Sequence, residues 1–296
     1  MSDIKLFRIA GDAVTELSGT TDTIEKSVQT LFERNLESLL GVRFLATEYV
    51  TTNGGRIDSL GLDENGSPVI LEYKRATNEN VVNQGLFYLD WLMDHRKNFE
   101  WLVMDKLGKA TADLVEWSAP RLICIAGDFN RYDEHAVRQM QRNVELIRYR
   151  RFGNDLVMLD LVTATSRPMP PEPPVPGRHK PISSVIDELD AEMRDRFEAL
   201  RDYLTALGDD VQETVLRLYV AYKRIRNFAG VDLRPTKGQI LIYAKIDPRS
   251  VTLEQDFTRD VTDIGHYGTG DLEITLSKAA DLERAMPLIQ RSYDNS

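Results

Sequence analysis

The chain has a single cysteine, Cys124, among 296 residues, so no internal disulfide is possible and no cysteine-rich metal site can be built. Cys124 lies in the apolar run Leu122–Ala126, which reads as core and not as the setting of a nucleophile. The four histidines, His95, His135, His179 and His266, stand singly without metal-ligand spacing, which removes support for a zinc site. No glycine-rich loop of the Walker type occurs, so ATP-driven activity is not expected. No stretch approaches the roughly 18 unbroken apolar residues of a membrane span. Met1–Leu17 lacks a basic segment followed by an apolar one, and a cytoplasmic protein with no membrane partner is expected.

Positive charge is also in deficit. The chain holds 37 Lys and Arg against 47 Asp and Glu, a formal net charge of −10. The deficit is shared, since residues 1–167 and 168–296 each carry about half of it. A polyanionic partner normally leaves a basic footprint. Metal-binding carboxylates nevertheless add negative charge that bound cations offset locally, so the balance does not exclude nucleic-acid chemistry.

What is present is organised around one strong punctuation mark. Prolines crowd the run Arg167–Gly177, which continues neither a helix nor a central strand and reads as an extended spacer. The expected division is a first domain over 1–165, a linker over 166–181 and a second domain over 182–296. In the first part the pattern predicts a helix over 23–40, a strand over 43–51, and a hairpin of strands 56–62 and 68–74 about the turn Asp63-Glu64-Asn65-Gly66-Ser67. Helices follow near 80–97, 99–107 and 110–117, then a buried strand over 121–126, a helix over 133–142 and strands over 145–151 and 155–162. That order predicts an α/β domain with a mixed sheet flanked by helices. In the second part, helices over 182–207, 210–222 and 278–293 and strands over 227–233, 239–245 and 271–276 predict a smaller α+β domain, so the chain overall is α+β.

The hairpin carries the chemistry. Gly55-Arg56-Ile57-Asp58 opens one strand and Val69-Ile70-Leu71-Glu72-Tyr73-Lys74 forms its partner. The period of two puts Glu72 and Lys74 on one face and Tyr73 on the other, toward the core. Two charges interrupting an apolar strand are costly unless they meet a metal, a substrate or each other. The hairpin returns Asp58 toward Glu72, and two converging carboxylates suit Mg²⁺ or Mn²⁺, with a neighbouring ammonium to act on an attacking water.

This D-x₁₃-E-x-K pattern resembles the signature of the PD-(D/E)XK nuclease superfamily. The segment Ile24–Trp91, with Gly55-Arg56-Ile57-Asp58 and Gln84-x-x-x-Tyr88, is similar to the RecB-like domain of NucS-type DNA endonucleases. The resemblance implies a restriction-endonuclease-like fold and a metal-dependent deoxyribonuclease, acting in repair or defence, with DNA as partner and Mg²⁺ or Mn²⁺ as cofactor. It assigns Asp58 and Glu72 to the metal, Lys74 to catalysis and Gln84 to an assisting role. Ile57 stands where the proline naming the family would be. Members often add a Glu from the preceding helix. Glu25 lies inside the apolar arc of Ile24, Val28, Leu31, Phe32, Leu36 and Leu39, Glu33 falls at its edge and Glu37 outside, so Glu25 is expected at the metal, ahead of Glu33. Arg56 and Arg75 flank the core residues, and Arg148, Arg150 and Arg151 form the most basic short run; all five are expected to meet nucleic acid.

The second part resembles a domain family of unknown function that follows nuclease-like modules, through Leu207–Val211, Tyr222-Lys223-Arg224, Asn227-Phe228 and Gly265–Leu272. Lys223, Arg224 and Arg226 form a second small cationic group there. A domain selecting the substrate while the first one cuts is the expectation. The competing readings are a nuclease fold that binds nucleic acid or a partner without turnover, and an interaction protein with no such affinity. A nuclease cutting both strands is often a homodimer.

Overall fold

The computed structural model describes residues 4–21, 25–74, 81–153, 155–166 and 180–296. The proline-dense run and Arg75 fall outside these residues, as does the side chain of Glu25. The first elements are a short hairpin, β1 (Leu6–Ala10) and β2 (Ala13–Leu17), and a two-residue strand, β3 (Gly19–Thr20). They are followed by α1 (Glu25–Leu40), β4 (Val42–Val50), β5 (Arg56–Asp63) and β6 (Pro68–Lys74). Next come α2 (Val81–Asp94), α3 (Arg96–Leu107), the one-turn α4 (Lys109–Ala112), β7 (Arg121–Ala126), α5 (Arg131–Gln139), β8 (Asn143–Phe152) and β9 (Leu156–Ala164).

Strands β3 to β9 form a mixed sheet in the order β3-β8-β7-β6-β5-β4, with β9 also paired to β8. The meander β4–β5–β6 is antiparallel, whereas β6–β7–β8 run parallel. Helix α1 covers one face, where Val28, Phe32 and Leu36 meet Val69, Leu71 and Tyr73. Helices α2 and α3 cover the other, where Val82, Leu89 and Leu92 meet Ile70, Leu122 and Cys124. Burial on both faces explains why β6 and β7 read as continuous apolar runs and not as alternating ones. Gly85 is needed where α2 crosses β7, because a Cβ there would lie 2.4 Å from Leu122.

The second half contains α6 (Ile182–Asp187), α7 (Ala191–Ala206), β10 (Gln212–Val215), β11 (Val220–Lys223), β12 (Asn227–Arg234), β13 (Gln239–Ala244), β14 (Thr258–Asp260), β15 (Leu272–Leu276) and α8 (Asp281–Asp294). Its strands make an antiparallel sheet in the order β10-β11-β12-β13-β15-β14. Phe197, Leu200 and Ile289 of the helices pack on Val231, Ile242 and Ile274 of the sheet. Two expectations change here. Residues 210–222 form the β10–β11 hairpin and not a helix, because pairing of β11 with β12 overrides the local pattern. The helix expected over 182–207 is broken before Asp190, whose carboxylate caps α7 by accepting from Met193 N at 2.8 Å. Among the described residues no helix is long and apolar enough to cross a membrane.

The two sheets are joined through polar groups. Arg121 donates to Asp63 and to both oxygens of Glu145, and Lys223 of β11 reaches Glu145 at 2.5 Å. All four side chains are buried. Around them, Lys245 pairs with Glu64, and Asn65 accepts from both Tyr219 and Asn227.

Candidate active site

The β5–β6 ladder ends at the pair Ser59–Leu71. Beyond it the next two residues, Asp58 and Glu72, keep the strands together through their side chains. Asp58 N donates to Glu72 Oε1 at 3.2 Å, and Tyr73 N donates to Asp58 Oδ2 at 3.0 Å. The strand's alternation slips at Asp58, since Ile57 and Leu60 both join the core layer under α2 while the Ser59 hydroxyl faces α1 and donates to Glu33 at 2.7 Å. A regular strand would carry Asp58 to a face with Leu60; the slip lays its carboxylate along the sheet, onto β6.

Glu72 is fully buried, and its Oε2 makes no hydrogen bond. Burial, with the Asp58 carboxylate beside it, pushes Glu72 up to about 9. Burial also raises Asp58, against the pull of the Tyr73 N–H and the Lys74 ammonium. A buried carboxylate with an orphaned oxygen next to a second carboxylate is the donor set of a hard divalent cation, which takes oxygen ligands and completes its shell with water and substrate oxygens. Among the described residues no cluster of three or more His, Cys, Asp or Glu side chains converges on one point. Lys74 follows on the same face of β6, half-buried.

Around the pair, Tyr73 points to the opposite layer and packs on Phe32 at 5.9 Å between ring centroids. Gln84 is half-buried and donates to Tyr88 Oη at 3.2 Å; the same oxygen accepts from Arg56 N at 3.2 Å. The Gln84–Tyr88 motif thus holds the backbone two residues before Asp58. Gly55 makes room for it, because a Cβ there would lie 2.3 Å from the Tyr88 ring. Glu25 opens α1, and its side chain lies outside the described residues. Glu33, the second choice, is half-buried and bonded to Ser59 and to Gln29 Nε2 at 2.9 Å.

Two residues near the pair went unread in the sequence. Gln29 is buried, and its Nε2 also lies 2.9 Å from Asp58 O and 3.2 Å from Thr47 Oγ1. Glu48 of β4 bonds Lys26 at 2.6 Å and Arg56 at 3.2 Å. The one signal for Gln29 was its place a helical turn before Glu33.

The basic runs are less available than they read. Arg148 is buried, with its guanidinium on Asp160 at 3.1 Å and Asp128 at 3.2 Å. Arg150 and Arg151 are half-buried at the end of β8. In the second half Lys223 is buried on Glu145, and Arg224 bonds Asp210 at 2.7 Å and lies over the Tyr293 ring. In the glycine loop, His266 stacks on Tyr243 at 4.3 Å. A sequence does not display such pairing, because the partner carboxylates lie far along the chain.

Residues 182–296 match a family described as a domain of unknown function, DUF5655. An uncharacterised protein of Haemophilus influenzae is 29% identical over 304 aligned residues, which cover 98% of this chain and 99% of that protein, so the likeness runs through both halves. Among solved structures, a complex of EndoMS with double-stranded DNA is matched at 15% identity and a TM-score of 0.29, over 49% of this chain and 64% of that one, under two thirds of its length.

Proposed function

We propose that this protein is a metal-dependent nuclease that hydrolyses DNA phosphodiester bonds at Asp58, Glu72 and Lys74. The observation that carries the reading is Glu72, a fully buried carboxylate with one oxygen unpartnered and a second carboxylate, Asp58, bonded to the neighbouring backbone N–H. Leaving a buried carboxylate oxygen unsatisfied costs several kcal/mol at the order-of-magnitude level, which is tolerated where a ligand completes the shell. DNA as substrate, the PD-(D/E)XK assignment and Mg²⁺ or Mn²⁺ as cofactor follow from the resemblance of the D-x₁₃-E-x-K segment.

Asp58 and Glu72 would hold the cation, which when bound polarises the phosphate and makes a bound water more acidic. Lys74, on the face of Glu72, orients the attacking water and stabilises charge on the phosphoryl oxygens. Gln29 and the Gln84–Tyr88 pair fix the backbone on either side of the Asp58 slip, so the carboxylate is presented in one geometry.

The test is cleavage of labelled single-stranded, double-stranded and branched DNA, with RNA for comparison, in Mg²⁺ or Mn²⁺. We expect cutting that falls by roughly 10²-fold or more in Asp58→Ala and in Lys74→Ala. No cutting by the wild type, together with no metal bound at Asp58 and Glu72, would overturn the reading in favour of a nuclease fold that only binds.

A further inference from the structure

Three carboxylates stand level across three adjacent strands. The pairs Thr47–Ser59 and Tyr49–Ile57 set Glu48 opposite Asp58, and the pair Ser59–Leu71 sets Asp58 opposite Glu72. The slip at Asp58 is matched on β4. Thr47 faces α1, where it meets Gln29, while Tyr49 faces the other layer and packs on Trp91 at 5.8 Å. Glu48 absorbs the change with φ of 46°, a left-handed conformation that among the described non-glycine residues only Asp256 shares. For a residue with a Cβ this is uncommon and mildly costly. The result is that Glu48 leaves the sheet beside Asp58, at the solvent side, between Lys26 of α1 and Arg56 of β5.

We infer that Glu48 is a stand-in for a substrate phosphate: it occupies Lys26 and Arg56 until a phosphate of the nucleic-acid backbone takes its place between the same two cations. The inference rests on the nuclease reading for the identity of the polyanion. The two cations come from elements that are not neighbours in sequence, and their side chains keep 55% and 61% of their exposure, so a ligand can reach them. They adjoin an acidic pair in a chain of net charge −10, and local positive charge is what a phosphate approaching such a site requires. A bridging carboxylate preorganises both and keeps them from collapsing onto Asp58. Lys26 also donates to Gln29 Oε1 at 3.2 Å, and Gln29 holds Asp58 O. A phosphate on Lys26 and Arg56 is therefore seated through two side chains to the residue expected at the metal.

The experiment reads binding without turnover. Affinity of a fluorescein-labelled DNA duplex is measured by anisotropy in EDTA across a salt series, for the wild type, Glu48→Gln, Lys26→Ala, Arg56→Ala and the double variant Lys26→Ala/Glu48→Gln. Glu37→Gln, on the exposed side of α1, serves as control for net charge, and thermal melts confirm folding. We expect Glu48→Gln to bind roughly two- to tenfold tighter, the release of two exposed pairs, and Lys26→Ala and Arg56→Ala to bind more weakly, each with a salt slope reduced by about 1. The gain should shrink in the double variant and be absent in Glu37→Gln. A structural Glu48 would give unchanged or weaker binding in Glu48→Gln, and that result overturns the inference while leaving the nuclease reading intact. Equal gains in Glu37→Gln would overturn it too, as a general charge effect. No binding by the wild type at low salt would overturn the inference as well, since no phosphate then reaches Lys26 and Arg56, while the nuclease reading would still rest on cleavage in Mg²⁺ or Mn²⁺.

Discussion

At the scale of single residues, the unusual quantity is the proton on Glu72. A carboxyl raised to about 9 by burial and by Asp58 is neutral at physiological pH in the metal-free protein. Cation binding must then release that proton. Affinity for Mn²⁺ should therefore climb with pH up to about 9, and calorimetry in two buffers of different ionisation enthalpy should detect close to one proton released per ion near neutrality. The same shift sets a stability profile. A carboxyl raised in the folded state contributes stability below its ordinary value near 4.5, and that contribution is lost as pH rises toward 9. Without metal, the melting temperature should decline across that window, and Glu72→Gln should flatten the decline. A profile in Glu72→Gln as steep as the wild type's would show that other groups titrate there.

At the scale of elements, the site depends on where β5 lets go of β6, and Gly55, just before that point, has no room for a side chain. Gly55→Ala would place a methyl group 2.3 Å from the Tyr88 ring, which is buried and cannot turn aside. The expected outcome is a loss of roughly 1–3 kcal/mol in urea unfolding, with cleavage falling further than stability, because the Tyr88 bond to Arg56 N is displaced. The hairpin itself was legible in the sequence. The Asp63–Ser67 turn, the apolar run of β6 and two charges interrupting it define its strands and bring Asp58 to Glu72. The slips at Asp58 and Glu48 were not legible, since each shows only when Thr47 and Ser59 are paired and seen to face α1. Gln29 was hidden for the same reason, as its partners lie on β4, β5 and α1. The β10–β11 hairpin was misread because no glycine or proline marks its turn, Leu216–Tyr219. The N-terminal hairpin was missed because its strands are five residues each and Phe7, Ile9 and Val14 are exposed, so no buried face impresses a period on them.

At the scale of the whole molecule, the ion cluster ties the two sheets together at the end of β5 opposite the site. Asp63 closes β5 and Asp58 is the third residue of the same strand, and Arg121 opens β7, whose other end stands level with Lys74. Burial alone would raise Glu145, yet Arg121 and Lys223 outweigh it and hold the carboxyl down at about 2. A carboxyl lowered in the folded state contributes stability above its ordinary value near 4.5, which is lost as pH falls toward 2. Glu145→Gln leaves Arg121 and Lys223 buried with only Asp63 to answer them, and breaking a buried pair in this way costs about 3–5 kcal/mol. The three tryptophans, Trp91, Trp101 and Trp117, all lie in the first half, so their fluorescence follows that half while far-ultraviolet circular dichroism follows both. In the wild type the two signals should trace one coincident transition in urea, because neither sheet can separate without exposing uncompensated buried charge. In Glu145→Gln the transitions should shift to lower urea and move apart, and the acid limb between pH 4.5 and 2 should become shallower. Separate transitions already in the wild type would mean that the halves fold independently and that the second half is free to move relative to the site.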